Sequence, residues 1–189
     1  MKKLILAACV IGLSACAATE NATEAAVVSA APKVINMANM TDEQAADELY
    51  KALLNASYLA TKLSPNSVAV QFGDTQFVLQ PSMSKQGVDR ILTNRLFAVH
   101  PQLHGSKELL LLIGSLNQKL NFAKFVIRDN GAVIQVQGAA TFVDSIELEE
   151  LRRFMLWTDE GLNQVGKSLP KGSEHLIKPI PVMKQDIAG

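Results

Sequence analysis

Between Thr41 and Val165 the apolar residues change rhythm several times. A repeat of three and four gives way to a repeat of two, returns, gives way again, and returns once more. A helix buries one stripe every 3.6 residues and a half-buried strand buries alternate residues, so these switches define an α+β chain. The first helical face carries Ala45, Leu49, Ala52, Leu53 and Ala56, with Tyr50 one position off it. Thr41 with Gln44 three residues on has the form of a capping box, and Asp42 and Glu43 suit the positive end of a helix. This helix is predicted to end within 55–59, ahead of an irregular or short extended passage and a Ser64-Pro65-Asn66-Ser67 turn. Val68, Val70 and Phe72 then alternate with Ala69 and Gln71, Gly73-Asp74 reverses the chain, and 76–79 returns as a hairpin partner. Residues 81–87 read as a polar connection. A further strand over 90–100 has apolar residues in both alternating sets, and a short helix over 85–92 is the competing reading.

Ser106 can cap a second helix whose stripe is Leu109, Leu112, Ile113, Leu116 and Leu120. Leu110 and Leu111 widen that stripe, which implies burial on more than one side. Asn117 and Asn121 lie one turn apart where the helix hands over to a strand; they are either amides that satisfy the last carbonyls or two solvent-facing side chains. Residues 122–128 read as extended. Asp129-Asn130-Gly131 is a hairpin signal, because Asn-Gly tolerates the positive φ angles of a type I′ turn. In the return strand Ile134, Val136, Gly138, Ala140 and Phe142 share a face opposite Gln135, Gln137 and Thr141, and Gly138 marks a bulge or a close approach. Asp144 with Glu147 three on predicts the N-cap of a last helix with Leu148, Leu151, Met155, Leu162 and Val165 inside and Ile146, Phe154 and Trp157 beside them. Beyond Gly166 the rhythm is lost, and Pro170, Gly172, Pro179 and Pro181 punctuate a tail over 170–189 that either packs across the domain or is disordered.

The N-terminus reads as an address. Met1, Lys2 and Lys3 precede an apolar run over 4–12 that is too short to span a bilayer as a mature helix. Leu13-Ser14-Ala15-Cys16 then resembles a bacterial lipobox. That resemblance implies a signal peptide over 1–15, recognised at Leu13, Ser14 and Ala15, and a covalent lipid on Cys16. The alternative is an ordinary signal peptide cut near Ala18, with Cys16 incidental. Ala17 in the second mature position resembles lipoproteins of the outer membrane, which implies a lipid-anchored protein on its periplasmic face. Several acyl chains, palmitate among them, anchor stably, since each buried methylene contributes about 0.8 kcal/mol. Residues 16–40 are rich in alanine without sustained periodicity and read as the lipidated cysteine and a flexible tether. Cys9 leaves with the signal and Cys16 is acylated, so no disulfide supports the fold. The whole chain balances 18 Lys+Arg against 18 Asp+Glu, which leaves no global basic field and argues against binding of nucleic acid mainly through its phosphates, with local patches left open.

The order helix, three extended segments, helix, Asn-bearing corner, hairpin and long helix resembles the YbjN-like family over 41–169. The local match is Leu116-Asn117-Gln118-Lys119-Leu120-Asn121, then Lys124-Phe125-Val126-Ile127, Asn130-Gly131 and the strand from Val133 to Val136. The resemblance implies a fold like that of type III secretion chaperones: a twisted antiparallel sheet packed by helices in the order α-β-β-β-α-β-β-α. It also implies structural roles for Asn117, Asn121 and Gly131 at the corner and hairpin.

No catalytic grouping emerges. His100 and His104 have Pro101 between them and no Cys or carboxylate at a metal-ligand spacing, and Ile113-Gly114-Ser115 lacks the glycines of a nucleophile elbow. Glu149 and Glu150 read as surface carboxylates. The expectation is therefore a membrane-tethered, non-catalytic protein-interaction or chaperone-like module, with no catalytic or metal residues and no cofactor beyond the lipid on Cys16. By extension from the family, Leu110, Leu111, Phe154 and Trp157 would form a surface for a protein partner or a second copy; the alternative is that they belong to the core. The alternative is an envelope small-ligand-binding protein or a degenerate enzyme, distinguished by a closed polar pocket in place of an open apolar groove.

Overall fold

The computed structural model describes residues 33–169 and 171–183. Leu13, Ser14, Ala15 and Cys16 lie outside the described residues, as does the tether up to residue 32. The elements run β1 (Val34–Asn36), α1 (Asp42–Asn55), β2 (Ala60–Ser64), β3 (Ser67–Phe72), β4 (Thr75–Ser82), β5 (Asp89–Val99), α2 (Lys107–Lys119), β6 (Lys124–Arg128), β7 (Val133–Phe142), β8 (Ser145–Glu147), α3 (Leu148–Ser168) and β9 (Ile177–Pro179). The large sheet has the order β2-β3-β4-β5-β7-β6, and all its pairs are antiparallel. The fold is thus α+β, and the expected order of helices and strands is present with short strands added to it.

Three of those additions correct the sequence reading, while β2 is the short extended passage that leads into the Ser64-Pro65 turn. Residues 34–37, assigned to the tether, belong to the folded body: β1 pairs with β8, Ile35 is 2% exposed and Met37 is fully buried. Asp144 does not cap the last helix. It sits at φ 58° in a tight turn, and β8 intervenes before α3, whose N-cap is Glu147. β9 pairs with β5 along residues 97–99, on the side that β4 occupies at residues 90–94, so this part of the tail is an element of the sheet.

Elsewhere local chemistry acts as read. Thr41 Oγ1 accepts from the Gln44 N–H at 3.3 Å while Gln44 Oε1 accepts from the Thr41 N–H at 2.9 Å, so the capping box is closed. Ser106 caps α2 by accepting from the Leu109 N–H at 3.1 Å. The Asp129-Asn130-Gly131 hairpin is longer than a two-residue type I′ turn: Arg128 pairs with Val133, and Asp129, Asn130 and Gly131 all have positive φ. Gly131 is required there, because a Cβ would lie 3.0 Å from the Gly105 nitrogen.

All three helices cover one sheet face. Odd residues of β5 and even residues of β7 point into it, which settles the face that the mixed pattern of β5 left open. The core is two apolar clusters. One joins α1, β3, β4 and the first half of α3 through Leu49, Leu53, Phe77, Leu79, Leu151 and Met155. The other joins α2 to β6 and β7 through Leu109, Ile113, Phe125, Ile134 and Val136. Among the described residues the opposite sheet face carries no helix. There Asn94 Oδ1 accepts from Gln135 Nε2 at 2.7 Å and Gln137 Nε2 at 3.1 Å, and Gln76 Oε1 accepts from the Val182 and Met183 N–H groups, fixing the tail.

Candidate functional site

The corner between α2 and β6 is built by one amide. Asn117 Nδ2 donates to the Phe125 carbonyl at 2.9 Å, and the Phe125 N–H donates to Asn117 Oδ1 at 2.8 Å. The side chain therefore imitates the backbone of a neighbouring strand on the outer edge of β6. Asn121 is exposed, and among the described residues its side chain has no hydrogen-bond partner. Of the two asparagines a turn apart, one anchors the corner and the other faces solvent.

Because both Phe125 backbone groups point to Asn117, Phe125 and Val136 form a non-hydrogen-bonded pair in the β6–β7 ladder. Lys124–Gln137 and Val126–Gln135 are then the bonded pairs. β6 begins at Lys124, opposite Gln137, whereas β7 continues to Phe142. The alternation carried along β7 aims the N–H and C=O groups of Ala139 and Thr141 toward the side that β6 has left. Both residues are exposed.

An open groove of about 720 Å³ lies beside this margin. Phe122, Phe154 and Trp157 line it on the helix side, Leu92 and Ala139 on the other, with Arg90 and Lys124 at its exposed edge. The aromatic rings pack edge to face, with centroids 6.0 Å apart for Phe122 and Trp157 and 6.2 Å for Phe154 and Trp157. Two glycines make room for them. A Cβ on Gly138 would come within 2.8 Å of Phe154 Cζ and 2.9 Å of Thr93 Oγ1, and a Cβ on Gly161 would strike the Phe122 ring. Thr93 Oγ1 is buried and has no hydrogen-bond partner among the described residues. Trp157 remains 48% exposed.

The four residues proposed from the family as a surface divide with respect to the groove. Phe154 and Trp157 line the groove, whereas Leu110 and Leu111 do not. These leucines are 58% and 64% exposed on the outer side of α2, so the wide stripe is buried on only one side, at Leu109 and Ile113. A smaller apolar cleft of about 150 Å³ separates α2 from the end of α3, lined by Leu112, Leu116, Phe125, Leu162 and Val165.

The ion-paired residues do not line the groove. Arg95 Nη1 meets Asp159 Oδ1 at 2.8 Å, Thr75 Oγ1 donates to the same oxygen at 2.9 Å, and Asn163 Nδ2 donates to Asp159 Oδ2 at 3.2 Å. The Arg95 guanidinium also lies 5.5 Å from the Phe77 ring centre and 5.4 Å from that of Phe97. Burial pulls the Arg95 pKa below its ordinary value, opposed by the charge and hydrogen bond of Asp159. On the surface of α3, Arg152 and then Arg153 hold the Glu149 carboxyl down at about 2. His104 Nε2 is 2.9 Å from the Val99 carbonyl and His100 Nδ1 accepts from the Gln102 N–H, so both histidines organise their own loop. Among the described residues no group of three or more His, Cys, Asp and Glu is placed to hold a metal, and no helix is long and apolar enough to cross a membrane.

Comparison of the chain with protein-family models, curated proteins and solved structures finds no match in any of the three. What defines the molecule is its own geometry: an α+β domain with one helix-covered sheet face and, at the rim of that sheet, an aromatic groove beside unpaired backbone.

Proposed function

We propose that this chain is a non-catalytic protein-interaction module of the bacterial cell envelope, held to the outer membrane by a lipid on Cys16 and built on a YbjN-like domain. The observation that carries the interaction is the half-exposed Trp157 over an open groove whose lining includes no carboxylate. Large aromatic side chains in such positions supply much of the energy in protein recognition. Anchorage is supported by Leu13-Ser14-Ala15-Cys16 and the charged, apolar segment ahead of it. The YbjN-like reading draws on the Asn117 corner and its Phe125 partner. The small-ligand alternative rests on the cleft between α2 and α3, whose roughly 150 Å³ is below the usual range for enclosed ligand sites.

A photoreactive amino acid at position 157, introduced in intact cells, should give a reproducible adduct with a protein partner that is absent when the same group is placed at exposed Lys51 on α1. Adducts that do not differ between the two positions would sink the interaction reading. Membrane retention of the Cys16→Ser variant equal to that of the wild type would sink the anchor.

A further inference from the structure

We infer that the open margin of β7 is a strand-docking edge, where an extended acidic peptide segment pairs with the backbone of Ala139 and Thr141 and sets its apolar side chains beside Trp157. This rests on the protein-interaction reading and names the kind of partner that reading lacks.

Several other strand margins carry devices that hinder pairing. β2 has a register shift between Lys62 and Ser64, and Lys62 is held by Asp47 on α1. Bulges and lysines at an edge discourage the addition of a strand. The outer edge of β6 is occupied at Phe125 by the Asn117 amide. Pro81 lies on β4 beyond its pairing with β3, and Pro179 lies on β9; neither has an N–H to offer. The stretch of β7 past Gln137 has no such device. Its outward N–H and C=O groups at Ala139 and Thr141 have the spacing of a strand ladder, and such a ladder binds any extended peptide through main-chain bonds.

Side chains around the edge decide which peptide. Arg90 and Lys124 flank the groove, and neither has an ion-pair partner among the described residues. An acidic occupant satisfies both cations. A second copy of the same edge would bring cation to cation, so self-pairing is disfavoured. Alternation in a docked strand turns one set of its side chains toward Phe122, Phe154 and Trp157 and the other toward Arg90 and Leu92. Val143 and Val88, 76% and 56% exposed, prolong the apolar margin past Phe142.

The test uses the full chain in detergent with a short capped peptide of alternating valine and glutamate, and the same peptide with lysine in place of glutamate. Amide hydrogen exchange should slow by about tenfold or more at Ala139 and Thr141 with the glutamate peptide and remain unchanged with the lysine peptide. Ala139→Pro removes an N–H that faces the open side and no bond to β5, so it should retain the wild-type circular dichroism and weaken peptide binding by about tenfold. Arg90→Glu with Lys124→Glu should reverse the preference between the two peptides. Peptide binding without protection at Ala139 and Thr141, or unaffected by Ala139→Pro, would overturn the strand pairing yet leave the interaction at Trp157 standing. Protection that appears with rising protein concentration alone would identify a second copy as the occupant. Binding of phosphatidylglycerol vesicles through Arg90 and Lys124 but not of the glutamate peptide would identify a membrane surface. Either result overturns the proposal.

Discussion

A single amide separates two asparagines that sequence treats alike. Asn117 and Asn121 share a residue type and a helical spacing, and the choice between anchor and solvent depends on which of them reaches a strand that follows eight residues later. Asn117→Ala removes both bonds to Phe125 and should cost about 1–3 kcal/mol, while Asn121→Ala should stay within about 0.5 kcal/mol of wild type. Urea unfolding of the two variants checks this, and equal losses would contradict the corner as described. Glu149 illustrates a charge whose effect follows from pH. Its folded pKa of about 2, held down by hydrogen bonds from Arg152 and Arg153, lies below its ordinary 4.5. The pair therefore stabilises the fold above about pH 4.5, and that contribution is lost as the pH falls toward 2. Glu149→Gln never has it, so the difference in urea midpoint from wild type should be present at neutral pH and vanish near pH 2. The effect is small because both partners meet solvent, and salt should reduce it further.

Elements with a strong local signal are legible in the sequence alone: α1 from its capping box, the β3–β4 hairpin from Gly73-Asp74, and β7 from the alternation that places Ile134, Val136 and Ala140 inside. Those defined only by a distant partner are not. β1 and β8 are three residues each, too short to show a period, and each exists because the other lies beside it. The Asp144-x-x-Glu147 pattern imitates a capping box, yet the pairing of β8 with β1 holds 145–147 extended and delays the helix to Leu148. Leu110 and Leu111 stay exposed for a related reason: leucine at consecutive positions widens a stripe in sequence, but only a packed neighbour can bury the added side, and none of the described elements does so. The groove itself depends on β6 ending five residues short of β7, a property of register that no local pattern records. β1 offers the clearest test at this scale. If residues 34–37 were tether, truncating a side chain there would be neutral; because Ile35 lies in the first core cluster, Ile35→Ala should cost about 2–5 kcal/mol, read as a shift in urea midpoint with unchanged slope.

At the scale of the whole molecule, Arg95 joins the two apolar clusters. Its guanidinium lies against Phe77 of the first cluster and Phe97, which packs on the second, while Asp159 ties it to the helix that borders both. Nothing in the sequence pairs Arg95 with a residue 64 positions away, and alternation alone places an arginine among inward-facing residues without a reason. The structure supplies the reason: the charge is matched, and its flat faces cover rings on both sides. Arg95→Ala leaves the Asp159 carboxylate partly buried with only Thr75 and Asn163 for company, and should cost about 2–3 kcal/mol, less than the ~3–5 kcal/mol of a wholly buried pair because both side chains retain some solvent contact. Replacing both partners with leucine removes the stranded charge and should recover most of that loss. The consequence for cooperativity is separate from the loss of stability. In wild type, Trp157 fluorescence and far-ultraviolet circular dichroism should report one coincident unfolding transition, since α3 and Arg95 link the clusters into a single unit. In Arg95→Ala the two probes should separate, because the fluorescence reports Trp157 with its neighbours Phe122 and Phe154 whereas the circular dichroism reports every helix and strand. Coincident curves in that variant would show that α3 and the shared sheet hold the clusters together without the arginine.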